Sequence, residues 1–244
     1  MNPSIESRLA GQTDIGFLDH LQTVFGKQLG YMPRVALEKH AERGHVWLAL
    51  ENQQPAGYIL GPPRYHGRDD VAVIYQAAVP FDAQRRAVGT DLVTHWCACL
   101  PESVKQVSLW CAQDIEANLF WQSLSFEPLA YRVGSVKSQR IHIYWVLAEP
   151  GFAVYTPAGT HSGLMRENRD VVPLERGQLW NDPVRIDWGS YTPPEPRKRT
   201  EKGLTRVQRA NRLLERFRGD PTKVRIFVGG RVIELPAKRT STRT

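Results

Sequence analysis

The spacing of apolar positions changes repeatedly along the chain, and each change marks an element. Residues 4–9, Ser-Ile-Glu-Ser-Arg-Leu, alternate weakly and suit a first strand. Ile15, Phe17, Leu18, Leu21, Val24, Phe25 and Leu29, then Val35, Ala36 and Leu37, fit two helices broken near Gly30-Tyr31-Met32-Pro33. Residues 46–50 and 57–61 flank Glu51-Asn52-Gln53-Gln54-Pro55 and predict a hairpin. Residues 71–79, VAVIYQAAV, read as one buried strand. Beyond it Leu92, Val93, Trp96, Cys99 and Leu100 recur at three- and four-residue spacing, which predicts a helix laid on a sheet. Residues 104–112 read as another strand, and Ala117, Phe120, Trp121 and Leu124 share one face of a helix for which Asp114 is a suitable N-cap. Residues 126–133 and 141–147 supply closing strands. In the second, alternation puts His142, Tyr144 and Val146 on one face and Ile141, Ile143, Trp145 and Leu147 on the other.

Past residue 150 the periodicity fades. Residues 151–196 carry Phe152, Tyr155, Trp180, Trp188 and Tyr191, too aromatic for a solvated linker, so this connecting segment is expected to pack on the first domain, over its acceptor side. Thr192-Pro193-Pro194-Glu195-Pro196 reads as an extended spacer. Leu204, Val207, Ala210, Leu213, Leu214 and Phe217 then form an apolar helical arc opposite Arg206, Arg209, Arg212 and Arg216. Two alternating runs around Gly229-Gly230 predict a hairpin within residues 223–235. Three regions follow: residues 1–150, 151–196 and a basic appendage, 197–244.

Composition, 41% hydrophobic and 23% charged, is that of a globular protein, and no apolar run approaches the ~20 residues of a membrane span. The N-terminus shows no charged start or apolar core of a signal peptide, so a cytoplasmic location is expected, with no membrane partner. Cys97, Cys99 and Cys111 are expected to be free thiols, and the seven histidines lack metal-ligand spacing, so no metal is expected. Charge is segregated. Residues 197–244 hold 15 Lys and Arg against 4 Asp and Glu, leaving 17 against 21 for residues 1–196. The basic tail suggests a polyanion, DNA or RNA, as partner, with Arg206, Arg209, Arg212 and Arg216 on phosphates. The bland alternative is a solvated basic helix and hairpin that cap the fold.

Candidate chemistry concentrates at residues 84–90, Gln-Arg-Arg-Ala-Val-Gly-Thr, between strand and helix. A helix N-terminus offers unpaired N–H groups and partial positive charge, Ala87 and Gly89 allow close approach, and Arg85 and Arg86 add mobile charge. The pattern Gln84-x-x-Ala87-x-Gly89 resembles motif A of the GNAT N-acetyltransferase family, whose loop reads Gln/Arg-x-x-Gly-x-Gly/Ala, with alanine here for the first glycine. The helix from Asp114 resembles motif B, Asn-x-x-Ala-x-x-Phe-Tyr-x-x-x-Gly-Phe. Ala117, Phe120 and Phe126 match, while Asp114, Trp121 and Ser125 replace Asn, Tyr and Gly. The order of elements over residues 4–148 is also that of the family.

The resemblance implies an α+β fold with a mixed, mainly antiparallel sheet flanked by helices. It further implies acetyl-CoA as co-substrate, held by Gln84, Arg85, Arg86, Ala87, Val88, Gly89, Thr90 and Trp121. Backbone N–H groups near Ala78 and Val79 would polarise the thioester carbonyl. The tyrosine that in many relatives protonates the departing thiolate is Trp121 here, and an indole N–H does not titrate usefully. The strand position that often carries a glutamate base is apolar, around Val73, which leaves Tyr75, Asp69, His142 and Tyr144 as candidate catalytic groups. The implied activity is acetyl transfer to a primary amine, and the basic tail suggests an acceptor associated with nucleic acid: a modified DNA base, an aminoacyl-tRNA or a bound protein. The alternative is a catalytically impaired scaffold of this type that binds nucleic acid or a protein. Oligomeric state and acyl chain length are left open.

Overall fold

The computed structural model describes residues 5–135, 139–157, 171–184 and 186, and the backbone of 225–228 and 231–234. Contacts divide the chain into two units, residues 1–194 and 195–244. The first opens with strand β1 (Ile5–Leu9) and helices α1 (Ile15–Val24) and α2 (Arg34–Glu42), broken where the sequence predicts. The Asp14 carboxylate accepts the Gly11 N–H at 2.8 Å and the Arg8 guanidinium at 2.7 Å ahead of α1. The bond from Arg8 is the main cause that holds the Asp14 carboxyl below its ordinary range. Ile15, Leu18 and Leu21 turn inward at three-residue spacing. They meet Leu37 of α2, Leu48 of β2 (Val46–Glu51) and Leu60 of β3 (Gln54–Leu60) in one buried cluster. Each aliphatic side chain so buried stabilises by roughly 1.5–3 kcal/mol. The β2–β3 turn is only Asn52 and Gln53, at φ 50° and 65°, a two-residue turn whose twist suits a hairpin.

Residues 71–79, expected as one strand, are two. Strand β4 (Val71–Ile74) pairs in parallel with β6 (Gln106–Ala112), whereas β5 (Gln76–Ala78) pairs antiparallel with β3. Tyr75 sits between them, its N–H on the Leu60 carbonyl at 2.9 Å. Ala72, Ile74 and then Ala77 reach the same core, a one-residue slip that a period of two cannot make without an inserted residue. One segment therefore serves two sheets, β1-β2-β3-β5 and β4-β6-β8-β7-β9, the second completed by β7 (Glu127–Ser135), β8 (Arg140–Ala148) and the short β9 (Val172–Pro173).

Helices α1 and α2 cover one face of the first sheet; α3 (Val88–Ala98) and α4 (Ala117–Ser123) pack with the core that spans its other face and the second sheet. Leu92, Val93 and Trp96 are buried as expected, but Cys99 is exposed, because the helix ends at Ala98. Trp96 lies so close to Gly61 that a Cβ there would be 2.5 Å from the indole Cζ2. Asp114 does not cap α4. Glu116 holds that position, and Asp114 instead meets Arg140 at 2.8 Å.

The connecting segment packs on residues 1–150 in separate places. Tyr155 is buried with Tyr65, Val71 and Val73, Val172–Pro173 extends the edge of β7, and Trp180 lies against Trp145 with its N–H on Gln122. Trp180 thus lies beside α4, while Tyr155 packs on the other face of the second sheet. Trp188, Tyr191, the spacer expected at 192–196 and the helix expected to bear Arg206, Arg209, Arg212 and Arg216 lie outside the described residues. In the second unit β10 (Arg225–Val228) and β11 (Arg231–Glu234) pair antiparallel, Val228 opposite Arg231 around Gly229-Gly230, the hairpin expected there. Among the described residues no helix is long and apolar enough to cross a membrane.

Candidate active site

A cleft of about 590 Å3 opens between β5, the loop and first turns of α3, and α4. One wall is β5, and register decides which of its amides are available. The Gly61 N–H bonds the His45 carbonyl on the β2 side. Amides alternate along a strand, so Leu60 and Tyr58 turn theirs toward β5, opposite Gln76 and Ala78. The Ala78 N–H is therefore taken by the ladder, and the N–H groups of Ala77 and Val79 point away from β3. Ala78 and Val79 both line the cleft, and the N–H groups that this register turns away from β3 are those of Ala77 and Val79.

The cleft continues onto the loop before α3. Gln84 Nε2 donates to the Val79 carbonyl at 2.9 Å and folds the loop back on the strand. Arg85 and Ala87 adopt φ 61° and 65°, the left-handed region, so the alanine that replaces the family's first glycine carries a backbone cost of roughly 1–2 kcal/mol. The Asp91 N–H bonds the Ala87 carbonyl, which leaves the N–H groups of Val88, Gly89 and Thr90 without partners inside the helix. A Cβ on Gly89 would sit 3.3 Å from the Phe120 ring, so a larger residue there would press on α4 and the ring would have to shift by a few tenths of an ångström.

Gln84, Arg85, Ala87, Val88, Gly89 and Thr90 line the cleft, as does Trp121. Arg86 does not. Its guanidinium pairs at 2.8 Å with Glu51 of β2, whose side chain is only 11% exposed. Trp121 is buried between Phe120 and Phe126 and faces the Cys111 thiol, which burial pushes up to about 12. It forms floor, with no proton to give. Asn118 fixes the turn into α4: its Nδ2 donates to the Ala112 and Ile115 carbonyls, and its Oδ1 accepts from Trp145.

None of the four candidate catalytic groups lines the cleft. Asp69 precedes β4 and pairs with Arg64 at 2.9 Å. Tyr75, half-exposed at the strand junction, meets the edge of His40. Tyr144 is fully buried on the face of β8 turned away from α3 and α4, where it donates to the Tyr155 carbonyl. His142 alternates with Ile141 and Ile143, which face that helical core. Burial, then Arg132 and Arg140, lowers its pKa to about 4, so it is a weak base at neutral pH.

Three polar residues that the sequence reading passed over meet beside the cleft. Tyr58 of β3 lines it and donates to Gln76 Oε1 at 2.9 Å; Gln76 in turn donates to Gln22 at 2.9 Å. The signal was present in the chain. Gln22 interrupts the apolar stripe of α1 and Gln76 interrupts residues 71–79, and a polar group in an apolar stripe is bonded when buried. The cleft also holds two carboxylates, Asp114 and Glu116. Among the described residues no cluster of three or more His, Cys, Asp or Glu is placed to hold a metal.

Residues 16–126 match the model of the acetyltransferase (GNAT) family. No curated protein matches the sequence. Among solved structures the chain is similar to Ard1 from Thermoplasma volcanium, at 18% identity and TM-score 0.52 over 59% of this chain and 99% of that one. It is similar to Arabidopsis thaliana NAA60 in complex with a bisubstrate analogue, at 13% and 0.52 over 61% and 100%. It is also similar to the ribosomal-protein-S18-alanine N-acetyltransferase from Escherichia coli, at 18% and 0.50 over 63% and 100%. Identities this low speak for the fold alone; the family match is confined to residues 16–126, which form a domain of the acetyltransferase (GNAT) family.

Proposed function

We propose that the protein transfers an acetyl group from acetyl-CoA to a primary amine. The observation that carries this reading is the parting of residues 71–78 into two sheets above a cleft that runs into the turn before α3. Free strand amides and free helix amides then line one continuous wall. That donor set fits acetyl-CoA. The N–H groups of Val88, Gly89 and Thr90, with Arg85, suit a pyrophosphate, and those of Ala77 and Val79 suit the thioester carbonyl, where donors stabilise developing negative charge. Asp114 is engaged by Arg140, which leaves Glu116, exposed at the rim, as the lining carboxylate open to take the amine's proton.

The charge of residues 197–244 supports an acceptor that is nucleic acid or bound to it, such as a modified base, an aminoacyl-tRNA or an associated protein. The position of Trp121 favours a second reading, a scaffold that keeps CoA binding and has lost turnover. Calorimetry with acetyl-CoA and CoA, followed by thiol release in the presence of amines, separates the readings. Binding with release supports the enzyme, and binding without release selects the impaired scaffold. No binding of either ligand defeats both.

A further inference from the structure

Helix α4 is the wall of the cleft that faces α3. Ala117, Phe120 and Trp121 line the cleft, and the Phe120 ring stands 3.3 Å from where a Cβ on Gly89 would be. Helix α4 has 7 residues, far below the roughly 12–15 at which a helix holds by itself, so packing decides where it stands. Its back carries Asn118 and Gln122, an i,i+4 pair on one face. Each accepts from an indole: Asn118 Oδ1 from Trp145 Nε1 at 2.9 Å, and Gln122 Oε1 from Trp180 Nε1 at 3.2 Å. The two indoles pack together, their ring centroids 6.0 Å apart.

Trp145 is part of β8, whereas Trp180 arrives from the connecting segment, well beyond the matched residues 16–126. That segment is fastened to the start of the turn into α4. Gln113 Nε2 spends both its protons there, on the Trp180 carbonyl at 2.7 Å and the Asp182 carbonyl at 3.0 Å. The turn between them is closed by the Leu179 N–H on the Asp182 carboxylate at 2.7 Å and the Asp182 N–H on the Leu179 carbonyl at 3.1 Å. Val184 and Ile186 then pack on the same core as Trp121.

We propose that Trp180 is a positioning residue for the acetyl-CoA site: through Gln122 and Trp145 it holds α4 against α3, and residues 179–184 complete a cleft that residues 16–126 only outline. This rests on the reading of the cleft as the acetyl-CoA site. Trp180 itself does not line the cleft, so it acts on the ligand only through α4. Outward movement of α4 would draw Phe120 and Trp121 away from the ligand and let water in behind it.

The test is calorimetry of acetyl-CoA and CoA with the full chain. Trp180→Ala should weaken both about three- to tenfold, the size reached by residues that act on a site through their neighbours. Trp180→Phe keeps a ring against Trp145 and loses only the N–H; it should weaken both about two- to threefold and serves where Trp180→Ala does not fold. Gln122→Ala should match it, and the pair of substitutions should cost no more than one alone, because both remove the same bond. A purely structural role would lower the urea midpoint and leave the affinities where they were. Folded Trp180 variants that bind CoA as tightly as the unaltered protein therefore overturn the inference and leave the acetyl-CoA reading standing. Should the unaltered protein bind neither ligand, that reading fails and this inference with it.

Discussion

Arg85 and Arg86 are adjacent in the loop and have different surroundings: Arg85 lines the cleft, and Arg86 neutralises Glu51 on β2. Glu51 is nearly buried, and its Oε1 finds no hydrogen-bond partner among the described residues, so Arg86 is what makes that carboxylate tolerable. A loop that holds Arg85 and Ala87 in left-handed backbone benefits from such an anchor. Arg86→Ala should therefore cost about 1–2 kcal/mol in denaturant unfolding, discounted for the half-exposed guanidinium, and change CoA affinity by no more than about threefold. Arg85→Ala should do the reverse, weakening CoA about tenfold at little cost in stability. Calorimetry and urea midpoints on the two variants decide the matter. A large affinity loss with Arg86→Ala would mean that the guanidinium leaves Glu51 for the phosphates.

Strand β8 shows what an element can hide. Its alternation was legible, and Ile143 and Trp145 reach the core as expected, but His142 comes to lie over Gly134, where a Cβ would stand 2.6 Å from its Cε1. Burial there and the nearby Arg132 and Arg140 oppose protonation more than Asp114 favours it. The unfolded chain takes up this proton near pH 6.5 and the folded one only near 4, so stability is intact above 6.5 and falls as pH drops through that window. The loss amounts to about 2–3 kcal/mol by pH 4. Urea unfolding across pH 4–7 should show a shallower acid slope in His142→Phe, and an unchanged slope would clear His142 of the effect. The same contrast runs through the fold. The hairpin at Asn52-Gln53, both first helices and the loop at 84–90 were legible because local turn chemistry and period determine them. The division of residues 71–79 was not, because Ile74 and Ala77 are both apolar, and a slip of one residue between sheets leaves no trace in hydrophobicity. Gln76 was the clue within that run. The partners of Arg86 and Asp114 were hidden for another reason: Glu51 and Arg140 are distant in sequence and join them only when the strands assemble.

At the scale of the molecule the division is between a cleft-bearing unit with a slight negative charge and a segment with a strong positive one. The contrast concerns where the acceptor comes from, because a polyanion drawn to residues 197–244 would bring amines carried on it near one chain at high local concentration. Four arginines, Arg206, Arg209, Arg212 and Arg216, supply part of that charge. If each neutralises one phosphate of duplex DNA, they account for a slope of about −3.6 in log affinity against log salt. Replacing all four by glutamine in the full chain should weaken binding of labelled duplex DNA or tRNA at least tenfold and flatten the salt dependence by about that slope. Acetyl-CoA binding should not change, since the residues that line the cleft all lie within residues 25–121. Fluorescence anisotropy at about 50 and 200 mM salt reads the first effect and calorimetry the second. Equal affinity for nucleic acid before and after the substitution would take nucleic acid out of the acceptor assignment. A free amine, chosen by the cleft alone, would then be the substrate to seek.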